Sequence, residues 1–326
     1  MAFPRTHGLL AAALCGAAQL ASAQAQAPAW PTKTITIVVP FPAGGTTDVL
    51  ARAVSTKLAT ALGKPVIVDN KPGAGATLGA AQVAKATADG HTLLIGVVHH
   101  TVATSVYKNL QYSFEKDFAP ITTVALVPNV LVVSAKAPYG SVRELITTGK
   151  ASPEKLSYGS NGNGTAQHMI GTQFQIETGA KVLHVAYKGS APLTTDLLGG
   201  QIDMSFDTIT PVLPFIRDGK LKALAVTTAK RSSTLPNVPT LQEMGVPNIA
   251  IGTWFGLLAP AATPRGVVAQ LNAEVVKIVH SPDFKKQMQD IGAEPIGNKP
   301  EEMATQIKEE TEKFAHLVKV GKVTLD

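Results

Sequence analysis

The sequence predicts an α/β fold built as two lobes, with a central, mostly parallel sheet in each. Three observations carry that expectation. From Thr34 to about Thr228, β-branched runs alternate with segments of helical periodicity. Two junctions, Phe41–Asp48 and Gly159–Thr165, are glycine-rich loops that run straight from a strand into a helix. Beyond the N-terminal segment, about 300 residues remain, enough for two domains of ordinary size.

The elements follow in order. Thr34–Val39 is a β-branched strand that ends in a Pro/Gly turn. A helix runs from about Thr46 to Leu62, because Val49, Leu50, Val54, Leu58, Ala61 and Leu62 recur at helical spacing while Arg52, Ser55 and Lys57 face out. Gly63 and Pro65 stop it. Pro65–Asp69 is the second strand, followed by a loop from Asn70 to Gly75, and Thr92–Val98 is the third strand. The scheme then repeats. Val130–Ser134 is a strand, Ser141–Lys150 a helix, and Leu156–Tyr158 a short strand feeding the loop Gly159–Gly164. The next helix carries Ala166, Met169, Ile170 and Phe174 on one face and closes at Gly179. Val182–Tyr187, Ile202–Phe206 and Leu221–Val226 supply further strands, and Pro211 suits the first turn of a helix ending near Gly219.

The C-terminal part is mostly helical. Thr263-Pro264 and Ser281-Pro282 each read as an N-cap followed by proline at the first helical position, and Pro300 starts a Glu/Lys-rich helix that closes at Gly321. Ile249–Ala259 is strand-like and contains Trp254, read as a packing residue near a hinge. Chain crossings are expected near Thr122–Pro128 and near Pro247–Gly252. These assign residues 27–126 and 252–326 to lobe 1 and residues 127–251 to lobe 2. Two crossings make a hinge, with a ligand cleft between the lobes.

The N-terminus implies export. Arg5 and His7 precede an apolar stretch from Leu9 to Leu20 and the small-residue end Ala21-Ser22-Ala23, which describes a secretory signal peptide over residues 1–23. The stretch is too short to span a bilayer comfortably. The single cysteine, Cys15, lies inside it, so the exported chain would hold no disulfide and rely on its core alone. The net charge of +6 suits anionic solutes, but scattered basic residues and few aromatics speak against nucleic acid.

The loop Phe41–Asp48 is the leading candidate site. A glycine turn opening a helix aims backbone N–H groups, at the positive end of a helix dipole, into one small space suited to an anion. It contains no Lys, Arg or nucleophile, so it is built to hold a carboxylate rather than transform one. The plainer alternatives are that Gly44-Gly45 serves a tight turn and that Asp48 complements the helix dipole. Gly159–Thr165 repeats the design in the other lobe, and the two together would grip one small anion.

Rival chemistries fit less well. Gly73-Ala-Gly75-Ala-Thr-Leu-Gly79 has Leu78 where a dinucleotide fingerprint needs its third glycine. Tyr158-Gly-Ser160-Asn-Gly162 has Tyr158 in place of the first glycine of a nucleophile elbow. His99-His100, read as extended chain, would point to opposite faces with no carboxylate or thiol cluster nearby. Neither a metal nor a cofactor is therefore expected. His168, one turn into the second loop's helix, is either a hydrogen-bonded helix residue or a ligand contact. Asp203 reads as structural, and Asp207 sits at a strand's C-terminal end, where α/β proteins bind ligands.

At these residues the chain resembles a known family. Val39-Pro-Phe-Pro-Ala-Gly-Gly-Thr-Thr-Asp48 resembles the opening motif of the tripartite tricarboxylate transporter solute receptors, also called Bug proteins. The likeness continues through Val68–Gly75, Lys116–Pro120, Tyr158–Thr165 with His168, Tyr187–Pro192, Asp196–Asp203, Phe206-Asp207, Gly219–Ala225 and Trp254–Pro260. The resemblance implies a two-lobed, periplasmic-binding-protein-like "Venus flytrap" in the periplasm, without enzymatic activity, that captures a small mono- or dicarboxylate, an amino acid or an aromatic acid. Its carried-over binding residues are Phe41, Ala43, Gly44, Gly45, Thr46 and Asp48 in the first loop, Ser160, Asn161, Gly164 and Thr165 with His168 in the second, and Asp207. Its partners would be the large and small integral membrane subunits of a transporter, or a sensor, with the receptor itself a monomer. Two departures bear on the ligand: His100-Thr-Val-Ala-Thr104 lacks the family's frequent Asn-Pro pair, and Thr208 replaces a frequent Asn. The alternative class is an exported enzyme acting on small organic acids, which needs a catalytic pair such as His168 with a Ser or Asp across the cleft. A third, a structural or adhesive secreted protein, predicts no closed cleft.

Overall fold

The computed structural model describes residues 30–153 and 155–324; the expected signal peptide and Cys15 lie outside them. The chain first lays down β1 (Ile35–Val39), α1 (Thr46–Leu62), β2 (Val66–Asn70), α2 (Thr77–Ala84), β3 (Thr92–Val97), α3 (His99–Val106) and β4 (Phe118–Pro128). It then builds β5 (Val130–Ser134), α4 (Val142–Ala151), β6 (Leu156–Ser160), α5 (Ala166–Thr178), β7 (Val182–Ala186), α6 (Ser190–Gly199), β8 (Met204–Ser205), α7 (Ile209–Arg217) and β9 (Leu221–Val226). The return leg adds β10 (Gly252–Pro260), α8 (Arg265–Val279), α9 (Pro282–Asp290), β11 (Glu294–Pro295) and α10 (Pro300–Val320).

Two sheets result, in the orders β11-β4-β10-β3-β1-β2 and β7-β6-β8-β5-β9. Each has a parallel half, β2-β1-β3 in one and β7-β6-β8 in the other. That half matches the expectation of parallel sheets. The other half is antiparallel because the chain crosses between lobes. Strand β4 leads the chain out and β10 brings it back alongside, so the two run in opposite directions, as do β5 and β9.

The crossings are knotted together at one point. Asn129 alone separates β4 from β5, and its carbonyl accepts the Thr227 N–H at 2.9 Å. Thr227 in turn accepts from the Ile251 N–H at 2.9 Å and donates its hydroxyl to the Ile251 carbonyl at 2.6 Å. All three residues are fully or nearly fully buried. Strand alternation then divides the core. Ile35, Ile37 and Val39 face one apolar cluster and Val38 another, while Leu131 and Val133 face away from Val130 and Val132.

Several local expectations change. His99 and His100 are not on extended chain but open α3, because Val98 already has helical φ and ψ of −49° and −25°. Nothing in the sequence marks that start, since no side chain caps it. Ser55 faces inward, 7% exposed, with its hydroxyl spent on the Arg52 carbonyl. Pro264, with ψ of 134°, is the N-cap of α8, so Thr263 lies one residue outside. Ser281 with Pro282, and Pro300, start their helices as expected.

Lobe 2 has one close approach with no slack. A Cβ added at Gly171 on α5 would lie 2.1 Å from the buried Tyr158 ring. Gly171→Ala therefore overpacks this core and should cost about 1–3 kcal/mol. Urea unfolding would show this as a lowered midpoint; an unchanged midpoint would contradict the tight packing.

Candidate functional site

Between the lobes lies a cavity of about 40 Å³. Phe41 to Ala43, Gly45 to Thr47 and His99 contribute its lobe 1 wall, with Thr253 and Phe255 from β10; Asn161, Gln167, Lys188 to Ala191 and Thr208 contribute the wall from lobe 2. Three helices begin at this wall. Their N-cap residues, Gly45 of α1, Gly189 of α6 and Thr208 of α7, all line the cavity, and none makes a side-chain capping bond. The first-turn N–H groups of a helix have no intrahelical acceptor, so three uncapped starts place orphan donors and three positive dipole ends around one small space.

The lobes meet at this wall. The hydroxyls of Thr46 and Thr208 lie 2.8 Å apart. The Ala166 N–H donates to His99 Nδ1 at 3.2 Å, and the Tyr107 hydroxyl donates to the Asn163 carbonyl at 3.2 Å. Gly189 lies at the same approach. Its φ of +98° is what calls for glycine, since a Cβ there would make only ordinary contact, 3.4 Å from the Pro42 ring.

Of the twelve residues expected at the site, Phe41, Ala43, Gly45, Thr46 and Asn161 line the cavity. The rest stand behind it. The Asp48 carboxylate accepts from the Gly44 N–H at 3.0 Å, Asn70 Nδ2 at 3.0 Å and Arg52 at 2.9 Å. Burial alone would raise its pKa, but these bonds outweigh burial and hold it below the usual carboxylate range. Asn70 also donates to the Phe41 carbonyl, so Asp48 and Asn70 together set the shape of the first loop. Thr165 caps α5 with its own hydroxyl, and with His99 accepting from Ala166 that helix start is already satisfied. Gly164 donates to His168 Nδ1 at 3.2 Å. Asp207 is fully buried. Its Oδ1 accepts from Asn161 Nδ2 at 2.9 Å and the Thr208 N–H at 2.8 Å, and burial keeps its pKa raised against those bonds. It orients the Asn161 and Thr208 that line the wall.

Ser160 does form a pair with histidine, but inside lobe 2. Its Oγ lies 2.6 Å from His184 Nε2, and His184 stacks on His168 at 4.0 Å with planes 5° apart. Ser160 is 0% exposed and, with both histidines, lies away from the cavity wall.

Sequence reasoning flagged Thr208 only as a departure bearing on the ligand, and missed His99, Gln167, Lys188, Gly189, Ser190 and Thr253 as wall residues. The overlooked signal was a third strand–glycine–helix junction, Tyr187-Lys-Gly-Ser-Ala-Pro192, of the same design as the two that were read. Lys188 is the one charged side chain among the described residues lining the cavity.

The model for the tripartite tricarboxylate transporter family receptor matches residues 50–322. The chain belongs to that family. BugT of Bordetella pertussis is 35% identical over 300 residues, covering 91% of this chain and 92% of BugT. An R. palustris protein solved with adipate superposes with a TM-score of 0.88 at 36% identity, covering 91% of this chain and all of that one. MatC of Rhodopseudomonas palustris, solved with bound malate, gives 0.84 at 32% identity, covering 88% of this chain and 99% of MatC. The Bug-receptor assignment and its two-lobed periplasmic-binding-protein fold therefore stand.

The buried imidazoles make stability depend on pH. Burial lowers His99 and His184 to about 3, each with a neighbouring histidine adding to the effect, and lowers His100 and His168 to about 4. In the unfolded chain these groups take protons near pH 6.5, so below that the unfolded state binds more protons and stability falls as pH falls. The melting temperature of this receptor should thus drop steadily from pH 7 to pH 5. A flat profile over that window would contradict four neutral, buried histidines.

Proposed function

We propose that this receptor closes around a small carboxylate in the periplasm and presents it to the integral membrane subunits of a tripartite transporter, or to a sensor. The observation that carries this reading is the convergence of three uncapped helix N-termini, from both lobes, on one interlobe cavity. Hydrogen bonds to a charged group contribute about 1.5–3 kcal/mol each. Several such donors are needed to offset the several kcal/mol lost when a carboxylate leaves water. The adipate and malate held by the two structural neighbours support the same ligand class. His99 fits the role as a donor: its Nδ1 accepts from Ala166, which leaves the proton of the neutral ring on Nε2.

The test removes one N–H and leaves the helix intact. Proline is tolerated at the first helical position, and Gly45 before it has extended φ and ψ of −80° and 170°, compatible with a following proline. Thr46→Pro deletes both N–H and hydroxyl, while Thr46→Val deletes only the hydroxyl. Titration calorimetry with the tightest acid from a panel of mono- and dicarboxylates should show Thr46→Pro binding roughly tenfold or more weaker than Thr46→Val. Equal affinities would remove the backbone N–H groups from the binding account.

A further inference from the structure

The chain crossings have a second side. Residues of β10 alternate between two spaces: Thr253 and Phe255 line the interlobe cavity, whereas Gly252 and Trp254 line a space of about 640 Å³ behind it. The walls of this rear space come from Thr228 to Ser233 of lobe 2 and from Trp254, Glu294 and Glu310 of lobe 1. Its volume suits a small molecule. Two of the lobe 1 groups are left open among the described residues. Trp254 is buried and its indole N–H has no acceptor, and Oε2 of the Glu310 carboxyl has no donor. Burial pushes the Glu310 carboxyl up, with the Lys313 ammonium 4.0 Å from its other oxygen. Charge differs in sign across the space. Lobe 1 contributes the acids Glu294 and Glu310, and lobe 2 the cations Lys230 and Arg231. Arg231 is bound to Glu243, but neither Lys230 nor Glu294 joins an ion pair among the described residues.

We propose that this rear space is a second ligand site, for a small zwitterionic solute whose occupancy favours closure of the cleft. Its ammonium meets Glu310 and Glu294, and its carboxylate meets Lys230 and the Trp254 N–H. The site goes beyond the carboxylate-receptor reading, since the two walls have no residue in common among the described residues. A solute of single charge satisfies one wall and is repelled by the other, whereas a zwitterion spans both lobes. Occupancy then acts through the crossings. Asn129 pairs with Thr208 and accepts from Thr253 of the cleft wall, while Thr227 and Ile251 are followed directly by Thr228 and Gly252 of the rear wall. A rotation about these residues that parts the lobes at the cleft brings them together at the rear. A solute filling the rear space opposes that rotation, so binding at each site strengthens binding at the other.

The experiment titrates the receptor calorimetrically with glycine, β-alanine, 4-aminobutyrate and 6-aminohexanoate, each beside the carboxylate and the amine of the same chain length. The best-fitting zwitterion should bind roughly tenfold or more tighter than either singly charged counterpart. Lys230→Gln and Glu310→Gln, one from each wall, should each weaken it roughly tenfold, while Thr46→Pro at the cleft should leave it bound. Saturation with that zwitterion should raise affinity for the cleft acid roughly fivefold or more, and Glu310→Gln should abolish the gain. Binding of no zwitterion, or binding that survives both rear-wall variants, overturns the rear site and leaves the carboxylate reading intact. An acid affinity that the zwitterion leaves unchanged or lowers overturns the coupling. A receptor that holds the zwitterion at the rear but binds no acid overturns the carboxylate reading alone.

Discussion

The first N–H groups of every helix need acceptors, and this protein depends on where it leaves that need unmet. Three of its helix starts are settled by side chains. Ser141 caps α4, Thr165 caps α5, and Glu302 reaches back to the N-cap backbone of α10. At α1, α6 and α7 the capping position holds Gly45, Gly189 or a Thr208 whose side chain caps nothing. The N-cap residues of those three starts line the interlobe cavity, as does His99, the first residue of the uncapped α3. On the proposed reading, one uncapped start yields too few donors to offset the desolvation of a carboxylate, whereas three supply several. The binding energy would then come from unsatisfied backbone, which the rest of the site keeps in place.

Much of that support is polar and set behind the wall. Asp48 and Asn70 fix the first loop through four hydrogen bonds between them and the loop's neighbours. Asp207 does the same for Asn161 and Thr208. The hinge joins the same network, since Asn129 Oδ1 accepts from Thr253 of the cavity wall at 3.1 Å while its carbonyl binds Thr227 of the second crossing. A rotation of one lobe against the other thus moves wall residues and crossing residues together. Opening the cleft must break the contacts from Thr46 to Thr208, from Ala166 to His99 and from Tyr107 to Asn163, each a hydrogen bond whose groups water can serve once the cleft is open.

The sequence made most of this fold legible because its signals are local. Helical spacing with Gly63 gave α1 its full extent, and Gly179 closed α5 where expected. Tertiary context hid the remainder. Helix α3 starts without cap or glycine, so His99 and His100 looked extended although strand β3 runs directly into it. At the site, sequence identified strand–glycine–helix junctions but could not say which helix starts were already satisfied. Thr165, with His168 three residues later, was read as part of an anion loop and forms the cap of α5, whereas Lys188-Gly189-Ser190, quoted only within a family block, faces the cavity. The distinction depends on His99, 67 residues from Ala166 in sequence, supplying the acceptor that completes the cap of α5. No local pattern carries that information.

The same accounting explains why the cleft holds so little side-chain charge. A cavity lined with lysines would bind carboxylates before closing and pair with any nearby acid when empty. Backbone N–H groups cannot move, titrate or find other partners, so their field exists only where the two lobes together bring the helix starts around one point. The buried histidines follow the same logic: kept neutral by burial, His99 offers a donor without adding a charge that would need a permanent partner. On the proposed reading, affinity for the carboxylate is then a property of closure, because only closure gathers the helix starts of both lobes around one cavity.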